Sequence, residues 1–179
     1  MNSLDEKSFD ERVSALVGQT VRGVTYWEIA YEGGEPMWRS ELADVDGLDF
    51  GVDLHFDDGA KVALTWGSEF YSYGISVQHG ASAGNESARS WDATERWRSF
   101  VGATITGASV QWTWVEDVGG QGRRIVLPQD VRLDFDGVGA VFLSALERRD
   151  GLILPLADNV LVVFGEETAR GLKIWPPPS

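Results

Sequence analysis

The sequence predicts a mainly β, or α+β, domain made of two related halves, each a short helix followed by a β-hairpin. Three observations predict it: a phrase that occurs twice, two hairpin patterns of period two around Asp-Gly turns, and the apolar run Val160-Leu161-Val162-Val163-Phe164 of a fully buried strand. An antiparallel, strongly curved sheet, a barrel or a two-sheet sandwich would each satisfy the pattern.

The phrase Leu16-Val17-Gly18-Gln19-Thr20-Val21-Arg22-Gly23-Val24-Thr25 returns as Phe100-Val101-Gly102-Ala103-Thr104-Ile105-Thr106-Gly107-Ala108-Ser109. A second block follows in the same order: Val52, Leu54, Phe56, Asp57, Val62, Leu64 and Thr65 match Val131, Leu133, Phe135, Asp136, Val141, Leu143 and Ser144. The chain therefore reads as a single domain, 1–179, with an internal duplication whose halves cover about 8–79 and 92–164.

Phe9, Val13, Leu16 and Val17 recur at helical spacing and predict a helix over 8–17; Trp97 and Phe100 predict its counterpart over Asp92–Val101. Gly18 and Gly102 stop them. Val52 to Phe56 alternates, Asp58-Gly59 turns the chain, and Lys61 to Thr65 alternates back. Val131 to Phe135 and Ala140 to Leu143 repeat this around Asp136-Gly137-Val138-Gly139. Further strands are expected at 20–30, 73–78, 104–115, 152–154 and 159–164. The small, polar segment at about 80–90 reads as a flexible linker, 118–124 as a mobile loop, and 175–179 as a Pro-rich tail anchored by Trp175.

Composition narrows the function classes. The formal net charge of -13 repels phosphate backbones and anionic lipid, so neither nucleic acid nor a membrane is the expected partner. With no cysteine, a disulfide framework, a thiolate metal site and a cysteine nucleophile are all excluded. Acids near the amino terminus, where a secretory signal needs a basic start, make a cytoplasmic location the expectation. The acid is uneven: between Glu28 and Asp58 stand ten carboxylates against Arg39 alone, and a basic protein is the natural counterpart.

Candidate chemistry is sparse. His55 sits on the outer face of its strand with Asp53 and Asp57, and His79 closes a strand, yet no HExxH, Gly-x-Ser-x-Gly or phosphate loop accompanies them. Asp44-Val45-Asp46-Gly47-Leu48-Asp49 lacks the ligand spacing of a calcium loop and reads as a turn. No metal or cofactor is expected. Eight tryptophans and their neighbours gather at Tyr26-Trp27, at Trp66 to Tyr73 and at Trp112-Thr113-Trp114, as core or as a recognition surface. Trp112 and Trp114 share a strand face, so both should be buried or both presented.

The paired phrase, carried by Val17 to Val24 with Leu54 to Leu64 and by Val101 to Ala108 with Leu133 to Leu143, resembles one found in small bacterial β-rich proteins, including immunity proteins of toxin systems. The resemblance implies a compact β-rich module and transfers no catalytic residue. The expected function is a non-enzymatic, acidic protein-binding module, an immunity-type protein that neutralises a basic toxin being its most concrete version. Its candidate contacts are Tyr31, Trp38, Asp44, Asp46 and Asp49. The alternatives are a small-ligand-binding protein whose pocket is lined by Trp66, Phe70, Tyr71 and Tyr73, and an enzyme working through carboxylates such as Asp53 or Glu69.

Overall fold

The computed structural model describes residues 3–30, 34–67, 69–70, 73–116, 124–149, 151–155 and 157–175. Helix α1 (Ser3–Ser14) is followed by β1 (Val21–Ile29), β2 (Val45–Leu48), β3 (Gly51–Phe56), β4 (Lys61–Gly67), β5 (Gly74–His79) and β6 (Ala88–Asp92). Then come β7 (Ile105–Glu116), β8 (Arg124–Phe135), β9 (Gly139–Ser144), β10 (Leu146–Arg149), β11 (Leu152–Pro155), β12 (Val160–Phe164) and α2 (Glu166–Gly171). Among the described residues no helix is long and apolar enough to cross a membrane.

Strand alternation builds two antiparallel sheets, ordered β5-β4-β3-β1-β6 and β2-β12-β9-β8-β7, with β10–β11 as a separate ribbon. Val24, Tyr26, Val52, Leu54, Val62 and Leu64 point inward from the first sheet; Leu48, Val131, Leu133, Val141, Leu143, Val160 and Val162 meet them from the second in one core. Such fully buried side chains contribute roughly 2 kcal/mol apiece. The arrangement is a sandwich: among the described residues neither sheet closes into a barrel.

The outer face of the second sheet is covered as well. Ala140, Phe142, Leu161 and Val163 pack under Ala169 of α2 and Ile174, and Trp175 lies against Phe142 with ring centroids 5.7 Å apart. That two-sided burial is why β12 is apolar at every position. The first sheet's outer face is polar, and residues 81–83 lie across it. Ser82 Oγ and the Ala83 N–H donate to the buried Asp53 carboxylate at 2.7 Å each, and Trp27 Nε1 donates to it at 2.9 Å. Gly84 touches Trp27 so closely that a Cβ there would lie 1.9 Å from the ring.

Both expected hairpins form, and in matching register: Val52 faces Leu64 and Leu54 faces Val62, as Val131 faces Leu143 and Leu133 faces Val141. Bulges interrupt β1 between Val21 and Gly23 and β7 between Ile105 and Gly107. The sheets join through reciprocal bonds. Gly18 N–H donates to the Ile105 carbonyl and Gly102 N–H to the Val21 carbonyl, both at 2.8 Å. Both glycines have φ near +90°, where a side chain would be strained. At the centre the Thr20 and Thr104 hydroxyls lie 2.9 Å apart across an isolated antiparallel bridge.

Three local expectations need correction. The segment after Asp92 makes turns rather than a continuous helix: the Ala93 and Gly102 N–H groups are tied to the Val24 and Val21 carbonyls, which leaves room for little more than one i→i−4 coil beneath the buried Trp97 and Phe100. Residues 45–48 are strand β2 instead of a turn, because Val45 and Leu48 pair along the open edge of β12. The far end of the expected linker, Ala88–Asp92, is strand β6 on the edge of β1. Most of the expected 118–124 loop and the tail beyond Trp175 lie outside the described residues.

The Thr20–Thr104 contact makes a test of how strongly the sheets are coupled. Thr20→Val or Thr104→Val alone should cost about 1 kcal/mol, since each strands a half-buried hydroxyl, while the double variant should cost little more than either single. Urea denaturation of the four proteins measures the cycle, and simple additivity would mean that the hydroxyls do not interact.

Candidate functional site

The segment from Gly34 to Asp49 leaves the first sheet and delivers β2 to the second. Its middle, Met37 to Leu42, forms a ridge with a groove on either side. The larger groove, about 670 Å³, runs between Trp38, Leu42, Asp44, Arg96, Phe100 and Phe164. The smaller, about 410 Å³, is bordered by Glu28, Met37, Glu41, Asp49, Arg148 and Leu161. Trp38, Arg39 and Ser40 border both. Met37 crowns the ridge, 64% exposed.

A buried polar network supports the ridge from below. Asp46 on β2 accepts a hydrogen bond from the Tyr26 hydroxyl at 2.9 Å, and Tyr26 in turn accepts one from Trp97 Nε1 at 2.7 Å. Arg96 donates to both Asp46 oxygens through Nε, at 2.9 and 3.2 Å, and its second arm donates to the Ala43 carbonyl. The guanidinium also stacks over Phe164, 4.7 Å from the ring centre. Burial pushes the Asp46 carboxyl up from its ordinary pKa, against the opposing pull of Arg96. Burial and the neighbouring Asp46 charge push the Tyr26 phenol well up. Two buried acids share one cation, so the network holds a proton tightly at Tyr26 and fixes β2 against β1.

Not all of the acidic stretch faces water. Asp46 and Asp53 are buried and bonded, and Glu28 is only 3% exposed, with the Met37 N–H donating to its Oε2 at 3.2 Å. Asp49 is half-buried; its carboxylate accepts the Ile29 N–H at 3.2 Å and its carbonyl accepts Trp66 Nε1 at 2.6 Å. Asp57 pairs with Arg22. Glu35, Glu41 and Asp44 are exposed and have no ion pair among the described residues.

The expected contact residues are thus only partly brought together. Trp38, Asp44, Asp46 and Asp49 gather around the ridge, but Trp38 is a core residue, edge-on to Tyr26 at 5.3 Å, and Asp46 is internal. Tyr31 and Tyr71 lie outside the described residues. Trp66 borders neither groove although it is bonded to the Asp49 carbonyl, and Phe70 and Tyr73 lie elsewhere: Phe70 completes an edge-to-face cluster with Phe9 and Trp112, at 5.5 and 5.0 Å, while Tyr73 is exposed near Trp66 at 6.1 Å. Trp112 and Trp114 part company. Trp112 is tied to Asp10 of α1 at 3.0 Å, and Trp114, beyond the reach of the helix, is half exposed beneath the Arg124 guanidinium. Sequence reasoning missed Arg96, Met37 and Glu28; exposed Met37 carries a signal only once its surroundings are known.

His55 Nε2 lies 2.9 Å from the Thr25 hydroxyl on the outer face of the first sheet, and Glu69 is paired with Arg12 at 2.5 Å. Among the described residues no group of three histidine or carboxylate side chains converges to hold a metal ion. No protein-family model, curated protein or solved structure matches the chain.

Two predictions follow from the buried acids. Arg96→Met would leave Asp46 buried beside Tyr26 with no paired cation and only the weaker pull of Arg39, and should cost about 3 kcal/mol in denaturant unfolding. Asp130, buried on the outer face of the second sheet with the Ser144 hydroxyl donating to it at 2.5 Å, has its pKa pushed up by burial to about 7. An unfolded Asp titrates near about 3.9, so the folded state holds the proton more tightly and Asp130 disfavours folding progressively as pH rises from about 4 to 7. Stability of the wild type relative to Asp130→Asn should therefore fall between pH 4 and pH 8; a flat difference would mean that Asp130 is ionised throughout.

Proposed function

We propose that the chain is an acidic protein-binding module that engages a basic partner through the ridge at Met37–Leu42, an immunity-type protein that neutralises a cationic toxin being the most concrete version. The observation that carries this reading is the ridge itself: a methionine 64% exposed at the edge of the smaller groove, in a segment whose carboxylates Glu35, Glu41 and Asp44 are exposed with no ion pair among the described residues. Interfaces draw affinity from a few desolvated anchors and rate from complementary charge, and this face offers both. The sequence's lack of cysteine fits a reducing cytoplasm for such an encounter. Duplication of a unit built on a β-hairpin, with a helix in the first half and turns in its place in the second, is part of the same proposal. The matched hairpin registers, the bulges at equivalent positions and the reciprocal bonds about Thr20 and Thr104 support it.

The charge test must spare the buried acids. Glu35→Lys, Glu41→Lys and Asp44→Lys together change the ridge face, while Glu86→Lys, Asp136→Lys and Asp158→Lys change net charge equally on exposed sites elsewhere. In a host extract, a partner captured by the wild type at low salt and released at high salt should still be captured by the second variant and lose association rate several-fold with the first. Equal losses in both variants would reduce the effect to net charge, and an unchanged rate in the first would overturn the proposed face.

A further inference from the structure

We infer that Asp130 and Gln111 form a proton-operated latch: the Asp130 carboxyl keeps a proton in the folded chain and donates it to the Gln111 side-chain carbonyl, and loss of that proton releases this bond between β8 and the edge strand β7. The latch lies away from the ridge and does not depend on the binding reading above.

Gln111 and Asp130 are directly opposite on the antiparallel pair of β7 and β8, and Ser144 of β9 is opposite Asp130 on its other side. Val110, Val131 and Leu143, one residue away on each strand, pack in the core between the sheets, so alternation sets Gln111, Asp130 and Ser144 in one row across the outer face. The Cβ atoms of opposite residues lie about 5 Å apart, within hydrogen-bond reach for side chains of this length. The Ser144 hydroxyl fills one flank of Asp130, donating to Oδ1 at 2.5 Å. On the other flank stands Gln111, whose Oε1 is enclosed and has no donor. β7 is the outermost strand of its sheet, so the strand beside Gln111 is β8.

An amide oxygen only accepts, and so does an ionised carboxylate; two facing acceptors repel unless a proton stands between them. A neutral carboxyl accepts from Ser144 with Oδ1 and donates from Oδ2, and both neighbours are then met. An ionised Asp130 would instead draw the Gln111 amide nitrogen inward, yet among the described residues the Ser144 hydroxyl is the donor found on it.

No charge competes for the proton. In the rows around Asp130, β7 contributes Ser109 and Gln111, β9 Phe142 and Ser144, and β12 Leu161. On β8 the nearest charge is Arg132, which is held by Asp134 and Glu166; β10, which follows β9, carries Glu147, Arg148 and Arg149, and Glu147 is paired with Arg149. Among the described residues no cation lies within 4.0 Å of Asp130. Burial raises its pKa to about 7, against the opposing Ser144 bond. The folded value lies above the unfolded one of about 3.9, so the latch is closed at acid pH and opens as pH rises through neutrality. It sits beside the bulge between Gln111 and Trp112, where the backbone ladder is interrupted and a side-chain bond helps to hold register.

The test follows the Asp130 carboxyl by carbon-13 and the Gln111 carboxamide by nitrogen-15 NMR in the full chain, from about pH 4 to about pH 9, with signals assigned through Asp130→Asn and Gln111→Leu. Both should titrate with one midpoint near neutrality. In Asp130→Asn, whose amide donates at every pH, the Gln111 signal should stay fixed. Gln111→Leu removes the acceptor and should weaken Asp130's hold on its proton about five-fold, whereas a purely desolvating effect of the leucine would strengthen it. A Gln111 signal that stays still while Asp130 titrates overturns the latch. So does an Asp130 midpoint unchanged or raised in Gln111→Leu; if that variant does not fold, the wild-type titration decides.

Discussion

The structure depends on the Asp46 carboxylate. It lies on β2, a strand that follows β1 in the chain yet pairs with β12 in the opposite sheet, so something must hold the crossing segment to both layers. Asp46 does so by accepting from Tyr26 on the first sheet and from Arg96 on the turns before β7. A charge this enclosed is tolerated only while its lone pairs are filled. The ridge between the two grooves is the consequence, because the chain from Gly34 to Ala43 has to climb out of the core on the way to that anchor.

How much of this was legible depends on whether the deciding partner is near in sequence. The hairpins were readable to the residue, since alternation and an Asp-Gly turn fix register locally, and Val52 against Leu64 and Val131 against Leu143 are as the pattern requires. The helix over Asp92–Val101 was misread because tertiary bonds at Ala93 and Gly102 shorten what periodicity allows. β2 and β6 carry little apolar pattern and are strands because edges of β12 and β1 were there to be paired. Neither edge exists until the sheets have formed.

Charge shows the same limit more sharply. Ten carboxylates between Glu28 and Asp58 look like an acidic surface when counted, but Asp46 meets an arginine fifty residues later in the chain, and Asp53 meets a serine and an amide some thirty later. Acids that fasten the fold and acids that face solvent have the same letters. Burial and pairing separate them, leaving Glu35, Glu41, Asp44 and Asp58 exposed with no ion pair among the described residues.

The buried polar groups differ in how fully the fold itself bonds them. Asp53 collects donors from Trp27, Ser82 and Ala83 and thereby secures residues 81–83 on the first sheet; Asp130 is served by Ser144, and burial raises its pKa to near neutrality. These groups are satisfied within the fold. Glu28 accepts the Met37 N–H but has no cation within 4.0 Å among the described residues, and the Trp38 indole N–H has no acceptor there. An unmet donor or acceptor costs on the order of 1–3 kcal/mol, and the enclosed polar atoms of Arg12, Trp91 and, when Asp130 is ionised, Gln111 carry that cost as the Trp38 indole does. These atoms lie on α1, on the segment before β2, on β6 and on β7, so incomplete bonding is spread over the fold and does not single out one groove.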